Sequence, residues 1–274
     1  MNNFSKNFLL LIIFFAACTN QNNQNKIIVD TTLNISNIKK VKYSLPSNLE
    51  MFIILKNSTF KLNTDSLHSV QKSSQYLTSS AISLNLGIYL TDFIFVAVNN
   101  YTDIPKYLNT IEQLASKLNI YNLIDKNKIQ ILENNPSQDT IKYYITQLFF
   151  NFDAFVNEND LKTTEANVLI GSWIEISYFI AQNQNNFTNN NLYELMLNQK
   201  YTLEIIRKIS LGTTEKNLNK QLDKLQIIID EALNIEANDF HHENQVVKKK
   251  LNKQKIEQIT TNIKEIRQYI IELY

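Results

Sequence analysis

The sequence predicts an all-α fold: a multi-helix bundle of about nine to ten helices that closes in a C-terminal antiparallel helical hairpin. Three observations carry this expectation. Glycine and proline are scarce, three of each in 274 residues, where a β-sandwich of this length needs far more turn residues. Apolar residues recur at spacings of three and four rather than two. Near the C-terminus two heptad seams follow one another, Leu218, Leu222, Leu225, Ile229 and Ala232, then Ile256, Ile259, Ile263, Ile266, Ile270 and Leu273.

Taken in order, the first helix is expected to start at Ser47. Ser47 and Glu50 have capping-box spacing, and Leu49, Phe52, Ile53 and Leu55 follow with helical period. A second is expected over about 64 to 75, with Asp65 near its start and a solitary, solvent-facing His68. The third, about 77 to 99, is apolar nearly all round, as a helix central to a core is. Ser83, Asn85, Thr91 and Asp92 interrupt it too often for a bilayer span. The fourth starts near Thr102, tolerates Pro105 in its first turn and ends in a left-handed cap at Asn119. A fifth covers about 121 to 134, stopped by Asn134, Asn135 and Pro136. The sixth runs from Ser137 to about Asn157 with a stripe of Tyr144, Leu148, Phe152 and Phe155. The seventh, about 160 to 184, contains the sole tryptophan, Trp173, and the eighth runs from about Asn190 to Ile209, before Gly212. The hairpin, residues 214–274, turns in the polar stretch around Asn238 to Asn244.

The N-terminus carries an address. One positive charge, Lys6, precedes Phe8 to Ala17, which has no polar side chain. This is the charged start and apolar stretch of a signal peptide, and it stops well short of the roughly 20 residues a membrane span requires. Phe15-Ala16-Ala17-Cys18 resembles a bacterial lipobox, although Phe15 stands where Leu is usual. The expected organisation is therefore a signal peptide at 1–17, a lipidated Cys18 with a polar tether at 18–42, and a single helical domain at 43–274. Cys18 is the chain's one cysteine, so no internal disulfide can form and stability has to come from packing. The two or three acyl chains of a mature lipoprotein give effectively permanent attachment to a membrane. Thr19 is not the aspartate associated with inner-membrane retention, and no acidic run follows Cys18. The expected location is the outer membrane, facing the periplasm.

Charge excludes some partners. There are 27 basic and 26 acidic side chains, 26 of each once Lys6 leaves with the signal peptide. A neutral chain is poorly suited to nucleic acid. The basic run Lys248, Lys249, Lys250, Lys253 and Lys255 reads as a solvated helix face.

Several segments together carry a family resemblance: Tyr43-Ser44-Leu45-Pro46-Ser47, the run Leu84 to Asp92, Tyr107 to Ile120, and Gly171-Ser172-Trp173-Ile174-Glu175. In order and spacing, from about 43 to 205, the chain resembles a family of uncharacterised all-helical lipoproteins of Bacteroidota-type bacteria. Asn119 stands at the family's usual glycine and Ser172 at a second small residue. The resemblance implies an anchored helical domain and supplies no activity.

Two acids stand out for chemistry. Asp92 lies in the most apolar helix, and Glu175 lies two residues after Trp173 among Ile174, Ile176, Tyr178 and Phe179. A carboxylate removed from water must be paired, hydrogen-bonded or protonated. Asp92, Trp173 and Glu175 are thus the candidate binding residues, for a cation or a small polar ligand; alternatively the two acids satisfy themselves locally, for instance through Tyr89, and fix helix packing. His241, His242 and Glu243 are adjacent and cannot converge as a zinc helix does. No phosphate loop, nucleophile elbow or zinc-helix pair is present, so neither a cofactor, a metal site nor a catalytic residue is expected. The function expected first is that of an interaction or scaffold domain docking another envelope protein. A ligand-binding domain comes second and an enzyme last.

Overall fold

A computed structural model describes residues 64–99, 103–121, 123, 131–132, 137–183, 190–210, 216–237 and 253–274. Among the described residues the regular elements are helical and no strand occurs. Two 3-10 turns, Thr64–Ser66 and Val70–Gln75, precede α1 (Ser79–Val98), α2 (Ile104–Lys117), α3 (Gln138–Glu158), α4 (Lys162–Gln182), α5 (Asn190–Ser210), α6 (Lys216–Ala237) and α7 (Lys253–Ile271). The expected signal peptide, lipidated Cys18 and tether, the helix expected from Ser47 and most of the one expected over 121–134 lie outside the described residues. So do His241, His242, Glu243 and Lys248 to Lys250.

α1 is the axis of the bundle. Thr78 caps it, its hydroxyl accepting from the Ala81 N–H at 3.1 Å. Every residue from Ala81 to Val98 is buried. The helix is long and apolar enough to cross a membrane, yet protein surrounds it on all sides. Polar residues that interrupt it make hydrogen bonds inside the core. Ser83 Oγ donates to Ser79 O at 2.6 Å, and Asn85 Nδ2 donates to Ala81 O at 2.9 Å and to Ile270 O of α7 at 3.0 Å.

α4 lies directly against α1, and small residues let the backbones meet. A Cβ on Gly87 would stand 2.2 Å from Val168 O, and one on Gly171 only 1.9 Å from Leu84 O. Polar bridges flank this contact: Asn167 Nδ2 donates to Ser83 Oγ at 3.0 Å, and Ser172 Oγ donates to Gly87 O at 3.0 Å. The paired positions rise together along both chains, so the two helices run parallel. Phe95 and Phe179 continue the contact with ring centroids 5.8 Å apart.

The remaining helices enclose this pair. α2 packs on α1 and on the second 3-10 turn, while α3 touches both central helices. α7 lies against α4, α6 and α1, and α5 bridges α4 and α6. The heptad residues Leu218, Leu222, Leu225, Ile229 and Ala232 are buried, as are Ile259, Ile263, Ile266 and Ile270, whereas Ile256 and Leu273 sit half-exposed at the ends. Ion pairs join Lys224 to Glu265 at 3.4 Å and Glu231 to Lys255 at 2.9 Å, so residue numbers rise along α6 as they fall along α7. Being exposed, such pairs set alignment more than stability.

Several termini follow the local signals. Ser137 caps α3, its Oγ accepting from the Thr140 N–H at 3.1 Å. Pro105 occupies the first turn of α2. Asn119 takes the left-handed conformation at φ 59°, and Ile120 N donates back to Ala115 O at 2.9 Å. The aromatic stripe of α3 is shallower than expected, since Leu148 and Phe152 are buried but Tyr144 and Phe155 only half so. In place of one helix over 64 to 75 there are two short 3-10 turns broken at Leu67 to Ser69.

The glycine contact gives the first prediction. Gly171→Ala gains about 1 kcal/mol in helix propensity yet forces a methyl group into backbone, so a net loss of about 3 kcal/mol or more is expected. Urea unfolding of variant and parent measures it.

Candidate functional site

Just beyond the glycine contact, Asp92 of α1 and Glu175 of α4 face one another across the helix pair. Both are 0 % exposed, and their carboxyl groups lie within hydrogen-bonding reach of each other. Arg267 of α7 reaches them from the other side. Its guanidinium grips Glu175 as a fork, Nε donating to Oε2 at 2.5 Å and Nη2 to Oε1 at 2.8 Å. The same guanidinium lies over the Tyr178 ring, 4.1 Å from its centroid. A planar fork of donors is what a buried carboxylate needs, and lysine could not supply it.

Over this cluster lies the segment 64–76, held through its main chain by side chains from three helices. Arg267 Nη2 donates to Ser66 O at 3.2 Å, and Asp92 Oδ2 accepts from the His68 N–H at 2.9 Å. Tyr107 of α2 donates to His68 O at 3.3 Å and Tyr89 of α1 to Ser69 O at 2.7 Å. At the far end Lys117 Nζ donates to Ser73 O, Ser74 O and Tyr76 O at 3.1, 3.3 and 3.1 Å. Short 3-10 turns leave many peptide groups unpaired, and here the bundle satisfies them.

His68 is therefore not the solvent-facing histidine the sequence suggested. It is buried at 4 % exposure, with Nε2 2.6 Å from the Tyr76 hydroxyl and its ring 4.9 Å from that of Tyr89. The break at residues 67 to 69 turns it inward, where an unbroken polar helix would have left it outside.

Burial decides the protonation of the cluster. It pushes the His68 imidazole down to about 3, with Arg267 and Lys72 adding to the effect. It raises Asp92 well above the usual carboxylate range, and the neighbouring Glu175 raises it further, against the opposing pull of Arg267 and the His68 N–H. Burial also raises the Tyr76, Tyr89 and Tyr107 hydroxyls. For Arg267 burial opposes the charge, and the contact with Glu175 more than offsets it.

The structure thus brings Asp92 and Glu175 together and leaves Trp173 elsewhere. Two residues apart on a helix means opposite faces, and the Trp173 indole N–H donates to Gln199 Oε1 of α5 at 2.6 Å. Tyr89 approaches Asp92 but gives its hydroxyl to Ser69, not to the carboxylate. Arg267 was not singled out from sequence, although a signal existed: it is one of two arginines among 27 basic residues. The other, Arg207, also holds a carboxylate, Asp223, through Nε at 2.7 Å. Among the described residues no group of three or more His, Cys, Asp or Glu is arranged to hold a metal ion.

Two predictions follow from this geometry. Arg267→Met leaves a buried carboxylate without its cation and is expected to cost about 3–5 kcal/mol. Adding Glu175→Gln to that variant should return part of the loss, which a double-mutant cycle in urea reads directly. The second concerns pH. His68 has a folded value near 3 against 6.5 unfolded, so its contribution is present above about pH 6.5 and lost as pH falls towards 3. The stability of the parent should fall relative to His68→Gln over that window, and parallel curves would refute a buried neutral imidazole. Compared with protein-family models, curated proteins and solved structures, the chain matches none.

Proposed function

We propose that this chain is a lipid-anchored envelope protein, held in the outer membrane through Cys18 and facing the periplasm, whose helical domain serves as an interaction or scaffold surface for another envelope protein. In this reading residues 43–274 form one bundle of nine to ten helices, and 214–274 its antiparallel hairpin packed on the core. The observation that carries the reading is the closure of the site. The two acids best suited to chemistry have no exposure, and the cation they hold is the protein's own Arg267. A domain whose reactive groups are occupied within the fold acts through its outside. The N-terminal charge and apolar pattern, Cys18 in a lipobox-like setting and the resemblance to helical lipoproteins point the same way.

The surface offers a place to test this. Tyr143 and Phe150 lie seven residues apart on α3 at 55 % and 66 % exposure, two turns apart on one face. A photo-crosslinking residue at either position in intact cells should yield a discrete protein adduct. Cys18→Ser should move the protein from the membrane to the soluble fraction and diminish that adduct. A variant that stays with the membrane removes the anchor from this reading, and the absence of any protein adduct removes the scaffold.

A further inference from the structure

The bonding around Asp92 is incomplete unless it carries a proton. Its Oδ2 accepts from the His68 N–H, but Oδ1 receives no hydrogen bond among the described residues, although it is fully buried. What Asp92 faces is Glu175, both of whose oxygens already accept from Arg267. Two ionised carboxylates here would share one guanidinium and leave a net negative charge where no water reaches, which costs several kcal/mol. One proton on Oδ1 removes the excess charge and turns an orphan acceptor into a donor, while the Glu175 oxygens keep lone pairs to accept it.

We propose that Asp92 is carried as the neutral acid, that its Oδ1–H donates to Glu175, and that this proton latches the 64–76 strap to the bundle. Ionising Asp92 breaks the bridge to Glu175 and draws Arg267 towards a second carboxylate. It thereby disturbs both groups that hold the strap at this point, the acceptor for His68 N–H and the donor to Ser66 O. The groups facing Asp92 are His68 on the strap, Tyr89 on its own helix, Tyr107 on α2, Glu175 on α4 and Arg267 on α7. The tyrosines are raised and His68 is lowered to about 3, which leaves Asp92 as the group whose ionisation opens the strap.

The direction is fixed by linkage. A carboxyl whose folded pKa lies above its unfolded value contributes stability that is complete at low pH and lost as pH rises through the folded value. Asp92 therefore loosens the strap as pH rises, while His68 has its opposite effect only below about pH 6.5.

Hydrogen exchange of the full chain over residues 64–76, corrected for intrinsic rates at each pH, tests the latch. Above about pH 6.5, where His68 contributes no slope of its own, the parent strap should lose protection with rising pH, approaching about tenfold per unit where one proton is released. In Asp92→Asn the amide can accept from His68 and donate to Glu175, so protection should stay level above about pH 6.5. Infrared spectroscopy of the parent supplies the second measurement, a protonated-carboxyl C=O band near neutral pH that is absent from Asp92→Asn. No such band overturns the neutral acid. A band with pH-independent strap protection overturns the latch, and so does an Asp92→Asn variant that unfolds or has lost protection at every pH, because a neutral isostere should be accepted.

Discussion

A carboxylate with no contact with water has to meet a cation, and in this bundle that requirement falls on Glu175 and Arg267. The pair spans 92 positions of sequence and joins α4 of the central pair to α7 of the terminal seam. A buried ion pair adds little net stability over well-packed apolar groups of the same volume. What this one does is discriminate. Of the rotations α7 could adopt against α4 on an isoleucine seam, only one aims the guanidinium at Glu175 and leaves an Nη2 proton for Ser66 O. The strap, the tyrosines above it and the hydrogen bond from Asn85 to Ile270 O are compatible with that rotation.

The strap illustrates a division of labour between the two kinds of interaction. Apolar burial assembles the bundle and takes in Leu67, Val70 and Tyr76 of the strap, but it does nothing for the peptide groups that the short 3-10 turns leave unpaired. The strap's peptide groups are held by polar groups aimed at carbonyls and one N–H, on five side chains of which four, Tyr89, Asp92, Tyr107 and Arg267, are buried in the core. Each such bond contributes about 1 kcal/mol, more where a charged group takes part. Together they fix the main chain of the strap, residues 64 to 76, between its apolar contacts.

Much of the architecture was legible in the sequence because local rules dictated it. The all-round apolarity of residues 81 to 98 requires a central helix, Ser137 and Asn119 are placed where capping needs them, and the heptad residues of α6 and α7 are buried except Ile256 and Leu273 at the ends. The site was half legible. Two acids in apolar helices announce an internal cluster, but periodicity does not say whether they share it. The parallel contact of Gly87 and Gly171 brings them together, a long-range consequence of two missing side chains. His68 was misplaced because a run of Ser, Gln and Lys reads as a polar helix, and only tertiary hydrogen bonds show that the run breaks and turns inward. Trp173 was grouped with Glu175 by nearness in sequence, where helical geometry separates them. Arg267 could have been found by asking why a chain that uses lysine almost throughout keeps two arginines.

The backbone contact of α1 with α4 also limits how the molecule can move. Helices packed through side chains slide and roll, since rotamers adjust as one ridge rides over the next. Where a carbonyl of each helix occupies the space of the other's missing Cβ, a shift of one residue, about 1.5 Å along the axis and 100° around it, would drive Ile170 or Ser172 into Leu84. The pair therefore has a single register, as a strand has in a sheet. Any breathing of this bundle must be borne by its periphery, with α1 and α4 as the fixed frame against which the other elements are displaced.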